Sequence, residues 1–223
     1  MYRPALKKSE NGMKITKIEP QKKNKSRFSV FIDGEFSFGT DGFTLLSLHI
    51  EEGNEISEEK LAVIKNSAVF EDAKSYAARL VSSRSYTEKT MREKLLAHIG
   101  DEGIVNKTIS FLKEYKLIDD YDYATRCAHD LVHLKKLGLS SVRWKLKEKG
   151  ISDAVIESVL SEFDLSDEIE ENLKAVAEKK LGGNYDIKNI MKVKRYLLSR
   201  GYSFDDINKV FSQIKAEDES YDG

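Results

Sequence analysis

The sequence is poor in residues that interrupt helices and in residues that build oxidised or catalytic sites. Of 223 residues only two are proline, Pro4 and Pro20, so nothing beyond position 20 withholds a backbone N–H from a helix. The single cysteine, Cys127, leaves no internal disulfide and suits a reducing compartment. No apolar run approaches the ~20 residues that cross a bilayer. Residues 1–12 are polar, lack the apolar stretch of a secretion signal and read as a flexible leader. The net charge of −1 lacks the basic excess of a protein held to DNA by phosphate contacts. Any nucleic-acid surface must then come from local clustering.

What is present is a polar but not disordered composition, 40% hydrophobic and 34% charged, as expected of an elongated soluble protein. Residues 13–56 carry strand signals. Lys14–Ile18 and Arg27–Ile32 are short runs rich in Ile, Phe and Val, and Asp33-Gly34 separates the second from Glu35-Phe36-Ser37-Phe38. A dipeptide of this type between two apolar runs is a strong hairpin signal. With a short helix near Phe43–His49, these strands predict a small cap, too little to stand alone. Its linking segment holds Lys14, Lys17, Lys22, Lys23, Lys25 and Arg27 against the single acid Glu19, which reads as a solvated loop or a contact for nucleic acid or an acidic partner.

From Ser57 the period becomes helical: Leu61, Ile64, Ala68, Ala73, Ala77 and Leu80 recur at three- to five-residue steps. A larger period then appears. A shift of 51 residues superposes Leu146, Gly150, Ser152, Ile156, Val159, Leu160 and Phe163 on Leu197, Gly201, Ser203, Ile207, Val210, Phe211 and Ile214. Shifted back, it reaches Leu95, Val105, Ile109 and Leu112, with Gly100 displaced by one position. Such self-similarity marks repeated supersecondary units. Each unit reads as three helices. The first are Ala73–Ser83, Asp122–Leu134 and Asp167–Leu181; the second are Thr87–His98, Ser140–Lys149 and Ile187–Arg200; the third are Ile104–Tyr115, Asp153–Phe163 and Phe204–Ile214. Gly150 and Gly201 suit the left-handed residue that closes a helix, and Ser152 and Ser203 suit the caps that open the next. Asp119-Asp120 reads as a cap as well.

The fold expected is mainly α: three tandem three-helix, helix-turn-helix-like repeats in an elongated array, behind a small β-containing N-terminal extension. The segments are leader 1–12, β region 13–56, lead-in helix and first repeat 57–120, second repeat 121–164, third repeat 165–216 and acidic tail 217–223.

The same offset aligns a basic column, Arg92, Arg143 and Lys194, each one residue after the apolar column Met91, Val142 and Val193 and so about 100° round the helix from a core position. Lys135, Lys136, Lys145, Lys147 and Lys149 surround it in the second repeat, against Glu148 alone, and Lys192 and Arg195 in the third; Arg84 precedes it in the first. These eleven residues form the candidate binding stripe, suited to a long polyanion or an acidic filament groove; a solvated helix face is the plain alternative. Other signals carry less. His129 and His133 lie at i and i+4, but a metal site needs a third protein ligand, so no metal and no cofactor are expected. Cys127 reads as a small core residue, Gly182-Gly183-Asn184 as a turn, and Trp144 as either a stacking platform or a half-buried anchor. No constellation supports catalysis, so the chain is expected not to be an enzyme.

The stretch Leu112–Ala124, containing Ile118-Asp119-Asp120, followed by Lys136-Leu137-Gly138 and Leu146–Ile151, resembles the signature of RecX regulatory proteins. Ala78-Arg79-Leu80 through Arg92-Glu93-Lys94-Leu95 is similar to that family's opening repeat, and residues 13–56 to the extension of its longer members. The resemblance departs at Lys136-Leu137-Gly138, where the common pattern has Lys-Gly adjacent, and at Tyr86-Thr87. It implies a cytoplasmic monomer that modulates the RecA recombinase in recombination, DNA repair and the SOS response. Such a protein would lie in the groove of the RecA–single-stranded DNA filament, possess no transmembrane anchor, and usually act as an inhibitor. A helix-turn-helix regulator reading duplex DNA is the alternative.

Overall fold

The computed structural model describes residues 12–22, 25–162 and 166–221. Residues 1–11 of the 1–12 leader, Lys23 and Phe163 lie outside the described residues. Two compact units are present: residues 1–84 with 91–117, and residues 85–90 with 118–223.

The first unit begins with β1 (Met13–Pro20), β2 (Arg27–Ile32) and β3 (Glu35–Asp41), then α1 (Gly42–Ser47) and β4 (Glu55–Ile56). The sheet order is β3-β2-β1-β4, antiparallel throughout. Asp33 and Gly34 both hold positive φ, 51° and 85°, the pair of values that lets a two-residue turn follow the strand twist. One sheet face buries Ile15, Val30, Ile32 and Phe38, and the core is completed by Ile50, Ile56, Leu61, Ile64 and Ala68. Three of these lie on α2 (Glu58–Val81), so the small sheet is stabilised by a helix it packs upon.

Helix α2 is continuous. The lead-in, whose helical period runs from Leu61 to Leu80, and the first helix of the first repeat are one helix of 24 residues capped by Ser57. No breaker falls between Ala68 and Ala73. The N-terminal half carries the sheet, while Ala73 and Ala77 are wholly buried further along. Helix α2 packs on α4 (Glu102–Glu114), and Met91 and Leu95 of α3 (Glu88–Ile99) and Val105 and Leu112 of α4 are fully enclosed. Asp72 ties the parts of this unit together. It pairs with Arg27 of β2, and His98 Nε2 of α3 lies 3.2 Å from it, the imidazole stacked on Tyr76 with centroids 4.1 Å apart.

The second unit holds α5 (Asp120–His133), α6 (Leu139–Glu148), α7 (Asp153–Glu162), α8 (Ser166–Leu181), α9 (Ile187–Ser199) and α10 (Phe204–Tyr221). One core runs through it, from Ala124, Ala128 and Val132 through Leu146, Ile156 and Leu173 to Leu197, Ile207 and Val210. Helix α10 continues seven residues beyond Ile214, so its backbone takes in Glu217-Asp218-Glu219, which reads as a tail in the sequence.

The turns between second and third helices close as their residues dictate. Gly150 sits at φ 84°, with its N–H bonded to Lys147 O at 2.9 Å and the next N–H, of Ile151, to Leu146 O at 3.2 Å. Gly201 at φ 87° repeats both bonds, to Leu198 and Leu197. These are the paired bonds of a Schellman closure, which satisfy orphan carbonyls at the helix end. Ser152 then accepts the Val155 N–H and Ser203 the Asp206 N–H.

Candidate functional site

Two contacts recur wherever the second unit joins successive modules. Thr87 is buried at the start of α3; its hydroxyl accepts the Thr90 N–H at 3.2 Å and donates to Lys149 O, at the end of α6, at 2.8 Å. Fifty-one residues on, Gly138 N–H donates to Arg200 O, at the end of α9, at 3.0 Å. Behind each acceptor is the closing glycine, pressed against the same helix start. A Cβ on Gly150 would meet Lys89, and one on Gly201 would lie 2.3 Å from Ser141 N. The second junction is strengthened by Arg200, whose guanidinium donates to Lys135 O and Lys136 O, and by Tyr202, whose hydroxyl donates to Lys136 O at 2.9 Å. Burial pushes the Tyr202 phenol up to about 12.

The residues of the basic column are themselves placed by a repeated contact. Arg92 donates to Asn106 Oδ1, Arg143 pairs with Glu157, and Lys194 donates to Asn208 Oδ1 at 2.7 Å. In every case the acceptor stands fourteen residues on, in the third helix of the same module. Arg92, Arg143 and Lys194 are therefore clamps between second and third helices, with an amide as acceptor in the outer two modules and a carboxylate in the middle one. Lys194 also lies 4.9 Å from the Phe211 ring centroid. The acceptors Asn106, Glu157 and Asn208 share the 51-residue offset, so the shift that aligns the cations also finds their partners.

The remaining candidates divide by role. Lys147 donates to both Asp153 oxygens at 2.9 and 3.0 Å, and Lys145 Nζ is 5.8 Å from the Trp144 ring. The second repeat is thus less basic than its second helix alone implies, because α7 supplies Glu157 and Asp153. Lys135, Lys136 and Lys149 contribute carbonyls to the junctions, and Lys136 holds φ 49°. Arg84 is exposed in the turn after α2; Lys192 and Arg195 are exposed on α9. Arg84 and Arg92 belong to the first unit and the other nine to the second. Trp144 is 59% exposed on α6.

His129 and His133 come together, ring centroids 3.7 Å apart, and His133 pairs with Glu168. Among the described residues, no three His, Cys, Asp or Glu side chains are grouped so as to hold a metal. Cys127 is half-buried, and burial raises its thiol above the usual range, against the nearby charge of Lys149. No described helix is long and apolar enough to cross a membrane. Gly182 and Gly183, at φ 58° and 76°, form a turn.

Asp119 and Asp120 divide their work. Asp119 caps its own helix, accepting the N–H groups of Tyr121 at 2.9 Å and Asp122 at 3.1 Å. Asp120 instead accepts the N–H of Glu88 at the start of α3, at 2.7 Å.

This architecture, a small sheet followed by three-helix modules knitted by repeated contacts to backbone carbonyls, is that of a tandem-module helical protein. The comparisons with known proteins agree. Residues 13–57 match the regulatory protein RecX N-terminal domain, 119–160 the second RecX three-helix domain and 167–211 the third. The chain is 37% identical over 207 residues to a regulatory protein RecX of Clostridium botulinum (strain Eklund 17B / Type B), covering 90% of this chain and 95% of that one. It is 33% identical to that of Clostridioides difficile (strain 630), covering 92% and 97%. A crystal structure of regulatory protein RecX superposes with a TM-score of 0.70 at 26% identity, over 90% of this chain and 99% of that one. The chain belongs to the RecX family of regulatory proteins.

Proposed function

We propose that this protein is a non-enzymatic modulator of the RecA recombinase, acting in the cytoplasm during recombination and DNA repair. It binds the RecA–single-stranded DNA filament and lowers its growth, its ATPase activity and its strand exchange. The observation that carries this reading is the cation repeated once per module and held in place by the residue fourteen positions on. A side chain pre-set by its own fold loses less entropy on meeting a polyanion, and a periodic ligand such as a filament suits a periodic binder. The near-neutral total charge fits a partner that offers acidic protein surface as well as phosphate.

The test is the rate of ATP hydrolysis by RecA on single-stranded DNA. Added protein at substoichiometric amounts is expected to reduce it, and an unchanged rate at equimolar protein overturns the proposal. Charge reversal at Arg92, Arg143 and Lys194 together is expected to weaken the effect. Full retention removes the basic column from the mechanism.

A further inference from the structure

Helix α9 has an exposed apolar strip that its counterparts lack. Ile187 is 82% exposed, Met191 55% and Leu198 44%. At 100° per residue these three fall within about 40° of one another, roughly 80–160° round the helix from the buried Val193 and Leu197. The 51-residue offset places Lys136, Ser140 and Lys147 at the same positions of the second module. The strip is therefore no requirement of the repeat or of its core. Arg195, Lys188 and Lys192, all exposed, border it on one side, and Lys194 on the other; α9 contains no acidic residue. Beside Lys194, a cavity of about 490 Å³ opens between α9 and α10, lined by Tyr185, Ile190, Phe211 and Ile214, with Lys194 and Lys215 among its polar groups.

We propose that this face of α9 docks an acidic amphipathic helix of a protein partner, apolar side chains on the strip and carboxylates against the flanking cations. Aliphatic residues at i, i+4 and i+11 suit the ridge of a second helix, and a basic helix without acids calls for a partner of the opposite sign. Nucleic acid fits less well, because bases stack on flat rings and the strip has none. A lipid surface needs a broader apolar face than three aliphatic side chains. The inference stands apart from the filament reading, since its decisive measurement is binding of a designed acidic helix with no recombinase present.

The experiment is fluorescence anisotropy of the full chain with a labelled, designed 18-residue helix of leucine on one face and glutamate on the other. Saturable binding is expected. It should weaken about tenfold in I187S/M191S, and again with rising salt or in K188E/K192E. A control helix with lysine for glutamate should not bind. Both double variants alter exposed side chains, so thermal melts should match the parent. Three results overturn the proposal: no binding of the acidic helix, equal binding by I187S/M191S, or an effect of I187S/M191S on oligo(dT) or phosphatidylglycerol vesicles but not on the acidic helix.

Discussion

The Asp120 carboxylate accepts the backbone N–H of Glu88 at 2.7 Å, capping a helix that begins 32 residues earlier in the chain. Its neighbour Asp119 caps the helix to which both belong. Two adjacent carboxylates thus serve two helices, and the Ile118-Asp119-Asp120 stretch, with Ile118 buried at 4% exposure, is a device for joining modules.

Removing either carboxylate should cost about 1 kcal/mol of stability, the usual worth of an N-cap, but in different places. Asp120→Ala is expected to speed amide hydrogen exchange at Glu88–Thr90, and Asp119→Ala at Tyr121 and Asp122. Identical exchange patterns in the two variants would contradict this division of labour.

Gly138→Ala should destabilise by about 2 kcal/mol, the scale of overpacking in a tight contact. The added Cβ would lie 2.3 Å from the Gly201 carbonyl carbon, and backbone on both sides cannot yield cheaply. Denaturant titration of the full chain reads this directly. A midpoint equal to the parent's would show that the junction has room.

Tyr202 gives the fold an alkaline limit. Its phenol is pushed up to about 12 by burial, above the ordinary value near 10, so the folded state favours the protonated form. That contribution is full below pH ~10 and is lost as pH rises toward 12. Tyr202→Phe removes the hydrogen bond to Lys136 O and should cost about 1 kcal/mol at neutral pH. The variant should also lose less stability than the parent between pH 10 and 12, measured by urea unfolding at each pH.

Arg143 and Glu157 separate a clamp from a contact with a partner. Both are largely exposed, so the pair should contribute only about 0.2–1 kcal/mol. The exchange R143E/E157R restores the ion pair, and thermal stability should recover relative to R143E alone. Binding to a polyanionic partner should stay weakened if Arg143 makes the contact itself. Recovery of binding with stability would confine Arg143 to the clamp.

The helices were legible because apolar residues recur at the helical period and glycine or a polar cap stands at most ends. The hairpin was legible because Asp33-Gly34 fits a turn with two positive φ values. The continuity of α2 was legible too, since the helical period runs unbroken from Leu61 to Leu80. Strand β4 is two residues long and exists only through pairing with Met13 and Lys14, a contact that no local pattern announces. The candidate cations were visible, but the acids that answer Arg143 and Lys147, Glu157 and Asp153, approach from the next helix. The carbonyls of Lys135, Lys136 and Lys149 left no trace in residue type, since backbone groups carry those contacts.

The assignment of residues 85–90 to the second unit sets the frame of packing out of step with the frame of the 51-residue repeat. One period contains a helix start that donates forward and a helix end that accepts from behind. Tandem duplication of a single period therefore supplies both halves of a junction at once, and a new module can join its neighbours without evolving a new surface. By the same logic, a fragment cut at Ile118, where the longer stretch of the second unit begins, abandons the donors for Asp120 and Lys149. A fragment begun at Ser85 keeps them.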